Sequence, residues 1–219
     1  MNRQCKEERI RIFVTYADTT GFTTWCKRGA TSHEDISMFN RRMYHEFRRY
    51  EFETGFAVKY LSDGFVAFKE MVRGHNCGIA VTVLRGAWLL QKRMEGFISS
   101  MRHPRPDGFR VRVACGMVSK IWVPPVNKRD RRWKIEYVGF SAGLGSRLLD
   151  IKREIGCLTT ESIRELLKGS ETSIEFERVT TKGRTPRGVD EEDMRELLSF
   201  KYVEKGGKDA DSRVRSPKK

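Results

Sequence analysis

The sequence predicts an α+β fold. Short alternating apolar runs take turns with long stretches of helical periodicity, and their order is β-α-β-β-α-β-β-α-α-β. No internal repeat or linker interrupts residues 8 to about 200. The front half of that order is the split βαββαβ arrangement of a ferredoxin-like sheet, with extra strands and helices following. The simplest organisation is one domain over residues 1–200 and a basic tail, 201–219, whose composition is that of a disordered segment.

Each element has a local reason. Residues 10–17 are a β-type run. "TSHEDISMFNRRMYHEFRRYEF" is a helix, with Ser32 as N-cap, Asp35 three positions later, and Ile36, Phe39, Met43 and Phe47 on one face. Gly55 ends it. "FAVKYLSDGFVAFKEM" is two strands around an Asp63-Gly64 turn. A second long helix covers "CGIAVTVLRGAWLLQKRMEGFISSM", where Ile79, Val83, Ala87, Leu90, Met94 and Phe97 keep helical spacing. "HPRPDG" breaks it. "FRVRVACGMVSKIWV" alternates as a strand, and "RWKIEYVGF" returns. "AGLGSRLLDIKREIG" reads as helical, "TTESIRELLKG" as a short helix, "SIEFERVTT" as a strand and "DEEDMRELLSF" as a last helix.

Composition narrows the function. The chain has 219 residues, 38% of them apolar and 13 of them Phe, enough for a sizeable core. No stretch approaches the roughly 18 apolar residues of a membrane span. The charged opening "MNRQCKEERIRIF" lacks the apolar core of a secretion signal, so a cytoplasmic location is expected. Five cysteines stand singly without a C-x-x-C, which argues against a disulfide framework and a structural zinc site. Cys26 reads as a small apolar core residue. The four histidines form no H-x-x-x-H pair. A net charge of +14 attracts polyanions: nucleic acid, anionic lipid or nucleoside triphosphates. The basic run "KRDRRWK" with Trp25, Trp122 and Trp133 could serve RNA stacking, but charge runs usually face water, and nucleic acid is not the expected partner.

Two aspartates close two turns. In a βαββαβ sheet the first strand is expected beside the second and third, which sets Asp18, at the end of the first, next to Asp63, in the hairpin between the others. Close carboxylates repel and call for a cation. Mg²⁺ favours one or two carboxylates plus substrate phosphates. Between them "TTGFT" offers backbone N–H groups, hydroxyls and a helix start for phosphate oxygens. Either residue alone reads equally as an ordinary turn aspartate, and pattern alone leaves both readings open.

At these residues the sequence resembles the class III nucleotidyl cyclases. Their first strand ends F-x-D-[IV]-x-G-[FS]-[TS], here "YADTTGFT". Their hairpin motif K/E-x-x-G-D-x stands as "KYLSDGF". R-[IV]-G-[IV]-x-x-G-x-[VI] is matched by "RVRVACGMVSKIWV", and D-x-x-G-x-x-[VI]-N-x-[AG]-x-R by "EYVGFSAGLGSRL". "GCLTTESIRELL" parallels the family's "ILVTEETY". The likeness spans about residues 8 to 185.

The resemblance implies roles. Asp18 and Asp63 hold two divalent ions, Mn²⁺ or Mg²⁺. Thr19, Gly21, Phe22 and Thr23 cradle the triphosphate. Lys59 and Glu136 read the base, Arg147 stabilises charge at the reacting phosphate, and Lys182, with Arg184 competing, binds phosphate. Three departures stand out: Ser62 for glycine, Glu136 for aspartate, and Gly143 for the asparagine near the ribose, a role Ser141 could take. In this family one site draws on two subunits, so a homodimer with shared sites is implied.

A lysine donor and a carboxylate acceptor suit adenine, cytosine or uracil. Guanine fits worse, since guanine-reading members carry glutamate at the Lys59 position. The longer Glu136 favours a smaller ring. Short stand-alone bacterial members make cyclic UMP or cyclic CMP as anti-phage signals, and the chain is similar to them. A pyrimidine cyclase is therefore the first expectation. An adenylate cyclase, or an inactive nucleotide- or RNA-binding module, are the alternatives.

Overall fold

The computed structural model describes residues 6–29, 31–124, 133–149, 156–179 and 197–203. Eight strands make one sheet: β1 (Lys6–Thr20), β2 (Ala57–Tyr60), β3 (Gly64–Glu70), β4 (Gly108–Val123), β5 (Lys134–Val138), β6 (Leu158–Thr160), β7 (Ile174–Arg178) and β8 (Leu197–Tyr202). The helices among the described residues are α1 (Phe22–Lys27), α2 (His33–Thr54), α3 (Asn76–Ser100), α4 (Phe140–Leu148) and α5 (Glu161–Leu166). The sheet order is β2-β3-β1-β4-β6-β8-β7, with β5 paired to β4. Its first four strands are the expected ferredoxin-like core.

One expectation of pairing is corrected. β1 lies between β3 and β4, antiparallel to both, and β2 touches only β3. Two helical crossovers separate β1 from its partners, while a tight turn joins β2 to β3. The hairpin therefore fills the edge with β2 outermost.

Alternation along β1 and β4 divides the core. Phe13, Ala17, Phe109, Val111, Val113 and Cys115 face α2 and α3, where Phe39, Met43, Phe47, Leu84, Leu90 and Met94 are fully buried. Ile12, Val14, Ala114 and Val118 face the other way, onto Ala142, Leu144 and Leu148 of α4. α2 starts as its sequence dictates: the Ser32 hydroxyl accepts from Asp35 N and the Asp35 carboxylate accepts from Ser32 N, a capping box. It ends at Gly55 in the left-handed region, φ 64°.

The C-terminal third departs more from expectation. Leu158–Thr160 form a three-residue strand, so the helix expected from Thr159 begins only at Glu161. Of the helix expected over 190–200, residues 190–196 lie outside the described residues, and Leu197–Phe200 belong to strand β8. β8 sits between β6 and β7 and runs on through Lys201 and Tyr202, the first two residues assigned to the tail. Residues 204–219 lie outside the described residues.

Candidate functional site

The site grows from the end of β1. Asp18 pairs with Gly64 of β3 on one side and with Arg110 of β4 on the other. The next amide, Thr19 N–H, donates to the carbonyl of Asp63 at 2.9 Å, and Leu61 N–H closes the hairpin onto Gly64 O at 2.9 Å. Asp18 and Asp63, 45 positions apart, thus sit on hydrogen-bonded neighbouring backbones. Gly64 is required here for more than the turn. A Cβ at this position would lie 2.0 Å from the carbonyl oxygen of Ala17, inside any van der Waals contact.

Strand alternation decides which side chains reach the site. Asp18 and Thr20 share a face and Thr19 points to the other. Thr19 is buried against α2, and its hydroxyl donates to Met43 Sδ at 3.7 Å. The Thr19 hydroxyl is thereby turned from the face that carries Asp18. Thr20 stands there instead. Gly21 follows in the left-handed region, φ 74°, where only glycine is relaxed, and starts α1. Phe22 packs on Trp25 and Phe39, at centroid distances of 5.9 and 5.8 Å, so its ring anchors the turn to the core. Thr23 is exposed. Cys26, on α1, is held above its ordinary thiol pKa mainly by burial, with a contribution from the Asp63 charge.

Arg110 is a functional candidate that the motifs did not single out. Its Nη2 lies 3.3 Å from Asp18 Oδ2, and Nη1 donates to Leu149 O beyond α4. Beside it is a pocket of about 200 Å³ lined by Thr20, Glu95, Ser99, Arg105, Asp107 and Arg110. Thr20 Oγ1 and Arg110 Nε are buried there with no hydrogen-bond partner among the described residues. A register argument could have found both residues: Thr20 lies two positions along from Asp18, and Arg110 directly across.

The residues fit divalent ions shared with a triphosphate. Among the described residues there is no group of three or more His, Cys, Asp or Glu that could hold a metal. Two carboxylates, Asp18 near the end of β1 and Asp63 in the adjoining hairpin, would leave most coordination positions to substrate oxygens and water, the arrangement Mg²⁺ prefers. Orphan donors on Thr20 and Arg110 suit phosphate oxygens.

No protein-family model and no curated protein matches the chain. Solved structures do. The adenylyl cyclase CyaB from P. aeruginosa superposes with a TM-score of 0.64 at 16% identity, over 91% of this chain and 96% of that one. The guanylyl cyclase Cya2 gives 0.63 at 13%, again over 91% and 96%. The guanylate cyclase domain of RhGC from Catenaria anguillulae, in complex with GTP, gives 0.62 at 16%, over 91% and 100%. The chain has the class III nucleotidyl cyclase fold.

Within this cyclase fold the remaining expected residues fall as follows. Lys59 is exposed on β2, paired with Val66. Glu136 is exposed on β5, paired with Ile121. The neighbour of Glu136, Tyr137, folds β5 back over the sheet. Its ring lies 4.9 Å from Phe68, and its hydroxyl donates to Glu70 at 2.9 Å. Phe68 pairs with Ala57, two residues before Lys59. Burial, and then the Glu70 carboxylate, push the Tyr137 hydroxyl up to about 12. Arg147 is half-buried in the last turn of α4. Gly143, one turn earlier, has no described heavy atom outside its own helix backbone and chain neighbours within 4 Å of a Cβ built on it. The Ser141 side chain, Lys182 and Arg184 lie outside the described residues. No helix among the described residues is long and apolar enough to cross a membrane.

Proposed function

We propose that the protein is a nucleotidyl cyclase, closing a nucleoside triphosphate to its 3′,5′-cyclic monophosphate and releasing pyrophosphate. What supports this reading is the backbone bond from Thr19 N–H to Asp63 O, which sets the end of β1 that carries Asp18 beside the hairpin that carries Asp63, in a cyclase fold. The metals implied, Mn²⁺ or Mg²⁺, would acidify the 3′-hydroxyl and neutralise phosphate charge. Asp18 and Asp63 hold them. The amides at Gly21 and Phe22, with Thr23, Thr20 and Arg110, bind the triphosphate and fix the α-phosphorus for in-line attack. Lys182 adds a phosphate contact. Arg147 meets the charge that grows at the reacting phosphate. Arg110 pairs with Asp18 and donates to Leu149 O, and its buried Nε, without a partner among the described residues, is the donor left for phosphate.

Two subunits would share each site. Tyr137 binds Glu70, which pairs with Ile12, six residues before Asp18. At ~3.4 Å per residue this contact lies roughly 20 Å back along β1 from the carboxylates. A second copy would present its own Lys59, Glu136 and Arg147 to the first copy's Asp18 and Asp63.

The finer reading is a pyrimidine substrate, UTP or CTP, with the cyclic product serving as a messenger in bacterial anti-phage defence. Its support is the Lys59–Glu136 pair, the longer reach of Glu136 and the Gly143 replacement. The test is direct. Purified protein is mixed with each of the four ribonucleoside triphosphates and Mn²⁺, and the products are identified by mass spectrometry. Cyclic UMP or cyclic CMP is expected. Cyclic AMP alone would move the reading to adenylate cyclase, and no cyclic product from any substrate overturns it.

A further inference from the structure

Helix α4, which carries Gly143 and Arg147, is tied at both ends by polar side chains from the two central strands. At its start, the Tyr16 hydroxyl donates to Ala142 O at 2.5 Å. The same hydroxyl is held above its ordinary pKa by burial, partly offset by a hydrogen bond with the Ser146 side chain. At its end, Arg112 Nε donates to Leu148 O at 3.0 Å, and Arg110 Nη1 to Leu149 O. Arg112 also donates from Nη1 to Val111 O at 3.0 Å and Gly156 O at 2.5 Å.

Arg112 is fully buried, and burying a guanidinium is expensive unless its donors are used. The last carbonyls of a helix have no intrahelical donors and carry partial negative charge, so they are a natural partner for it. Tyr16 and Arg112 each bring a donor from the central strands to α4. Both residues also sit on the strands that carry Asp18 and Arg110, so the helix takes its position from the carboxylate strand itself.

We propose that Tyr16 and Arg112 are positioning residues, which hold α4, and through it Arg147, at a fixed place on the sheet, from which Arg147 reaches the site shared with a second copy. The catalytic side of this inference rests on the cyclase reading. The structural side does not.

The test uses the full-length chain and the variants Tyr16→Phe, Arg112→Lys and Arg112→Met. Hydrogen exchange reads the amides of residues 142–149, with the buried centre of α3 as internal reference. Steady-state kinetics on the triphosphate that the wild type cyclises reads kcat and KM separately. For Tyr16→Phe, faster exchange confined to 142–149 is expected, with kcat lower by roughly tenfold or more and KM within about twofold, as misplacement of a catalytic group predicts. Arg112→Lys should recover part of what Arg112→Met loses. The inference is overturned if α4 exchange matches wild type, if the loss appears in KM alone, or if exchange rises equally in α3. Should the Arg112 variants fail to fold, Tyr16→Phe decides, since it removes one oxygen atom. A wild type that cyclises nothing defeats the cyclase reading, and the exchange experiment still judges the tether.

Discussion

Arg110 and Asp18 face each other across the β1–β4 ladder, Nη2 to Oδ2 at 3.3 Å. The same guanidinium holds Leu149 O. One side chain therefore joins the carboxylate proposed to hold metal, the wall of the 200 Å³ pocket and the end of the helix that carries Arg147.

Neutralising either aspartate tests the proposed chemistry. Asp18→Asn and Asp63→Asn are each expected to lower cyclase turnover by on the order of 10³-fold, about 4 kcal/mol at 1.4 kcal/mol per tenfold. Circular dichroism should remain that of the folded chain. A chelator should abolish turnover and leave the thermal midpoint in place, because the core on both faces of the sheet is built without metal.

Two glycines should respond oppositely to alanine. Gly64→Ala drives a Cβ to 2.0 Å from the Ala17 carbonyl and must push β3 from β1, at about 2–4 kcal/mol. Gly143→Ala meets no described heavy atom outside its own helix backbone and chain neighbours within 4 Å and removes a flexible residue from a helix, so it should add about 0.5–1 kcal/mol. Urea unfolding measures both.

Glu46 should matter to stability well beyond its place on a polar helix. Its side chain is 1% exposed, with Arg93 Nε at 2.7 Å and Arg42 Nη2 at 2.8 Å. Glu46→Gln leaves the Arg93 charge between α2 and α3 with Glu53, 3.4 Å away, as its remaining acidic partner among the described residues, and is expected to cost about 3–5 kcal/mol. The double variant Glu46→Leu/Arg93→Leu should cost less than the single one, which a urea-unfolding cycle checks.

Alkaline conditions should unfold the chain through its tyrosines. Tyr16, Tyr50, Tyr60 and Tyr137 are all raised above the ordinary value of 10.0, burial being the largest cause for each, and Tyr137 reaches about 12. A raised folded-state pKa contributes stability that is full below pH 10 and lost as pH climbs through the folded values. Unfolding free energy should therefore fall from about pH 10 upward, and Tyr137→Phe should flatten part of that slope. Ultraviolet titration of the phenols against urea unfolding measures both.

Much of the fold was legible because its causes are local. Ser32 and Asp35 cap α2, Gly55 ends it, and Asp63-Gly64 turns the hairpin, each through neighbours within a few residues. β8 was misread for a physical reason. Leu197 and Leu198 are both 1% exposed, one on each face of a strand buried between β6 and β7. A strand covered on both sides loses its alternation and imitates a helix face. β6, only three residues long, has no period to detect.

The sequence by itself determined the βαββαβ core, the two long amphipathic helices, the cap of α2, and the placing of one aspartate near a strand end and one in a hairpin, since turn chemistry and periodicity act over a few residues. Tertiary structure alone decided that β1 lies between β3 and β4, that Thr19 turns inward to Met43 while Thr20 faces the pocket, and that Tyr16, Arg110 and Arg112 grip α4. Those outcomes depend on register between strands some 90 residues apart, and on which face of the sheet each side chain takes once that register is set.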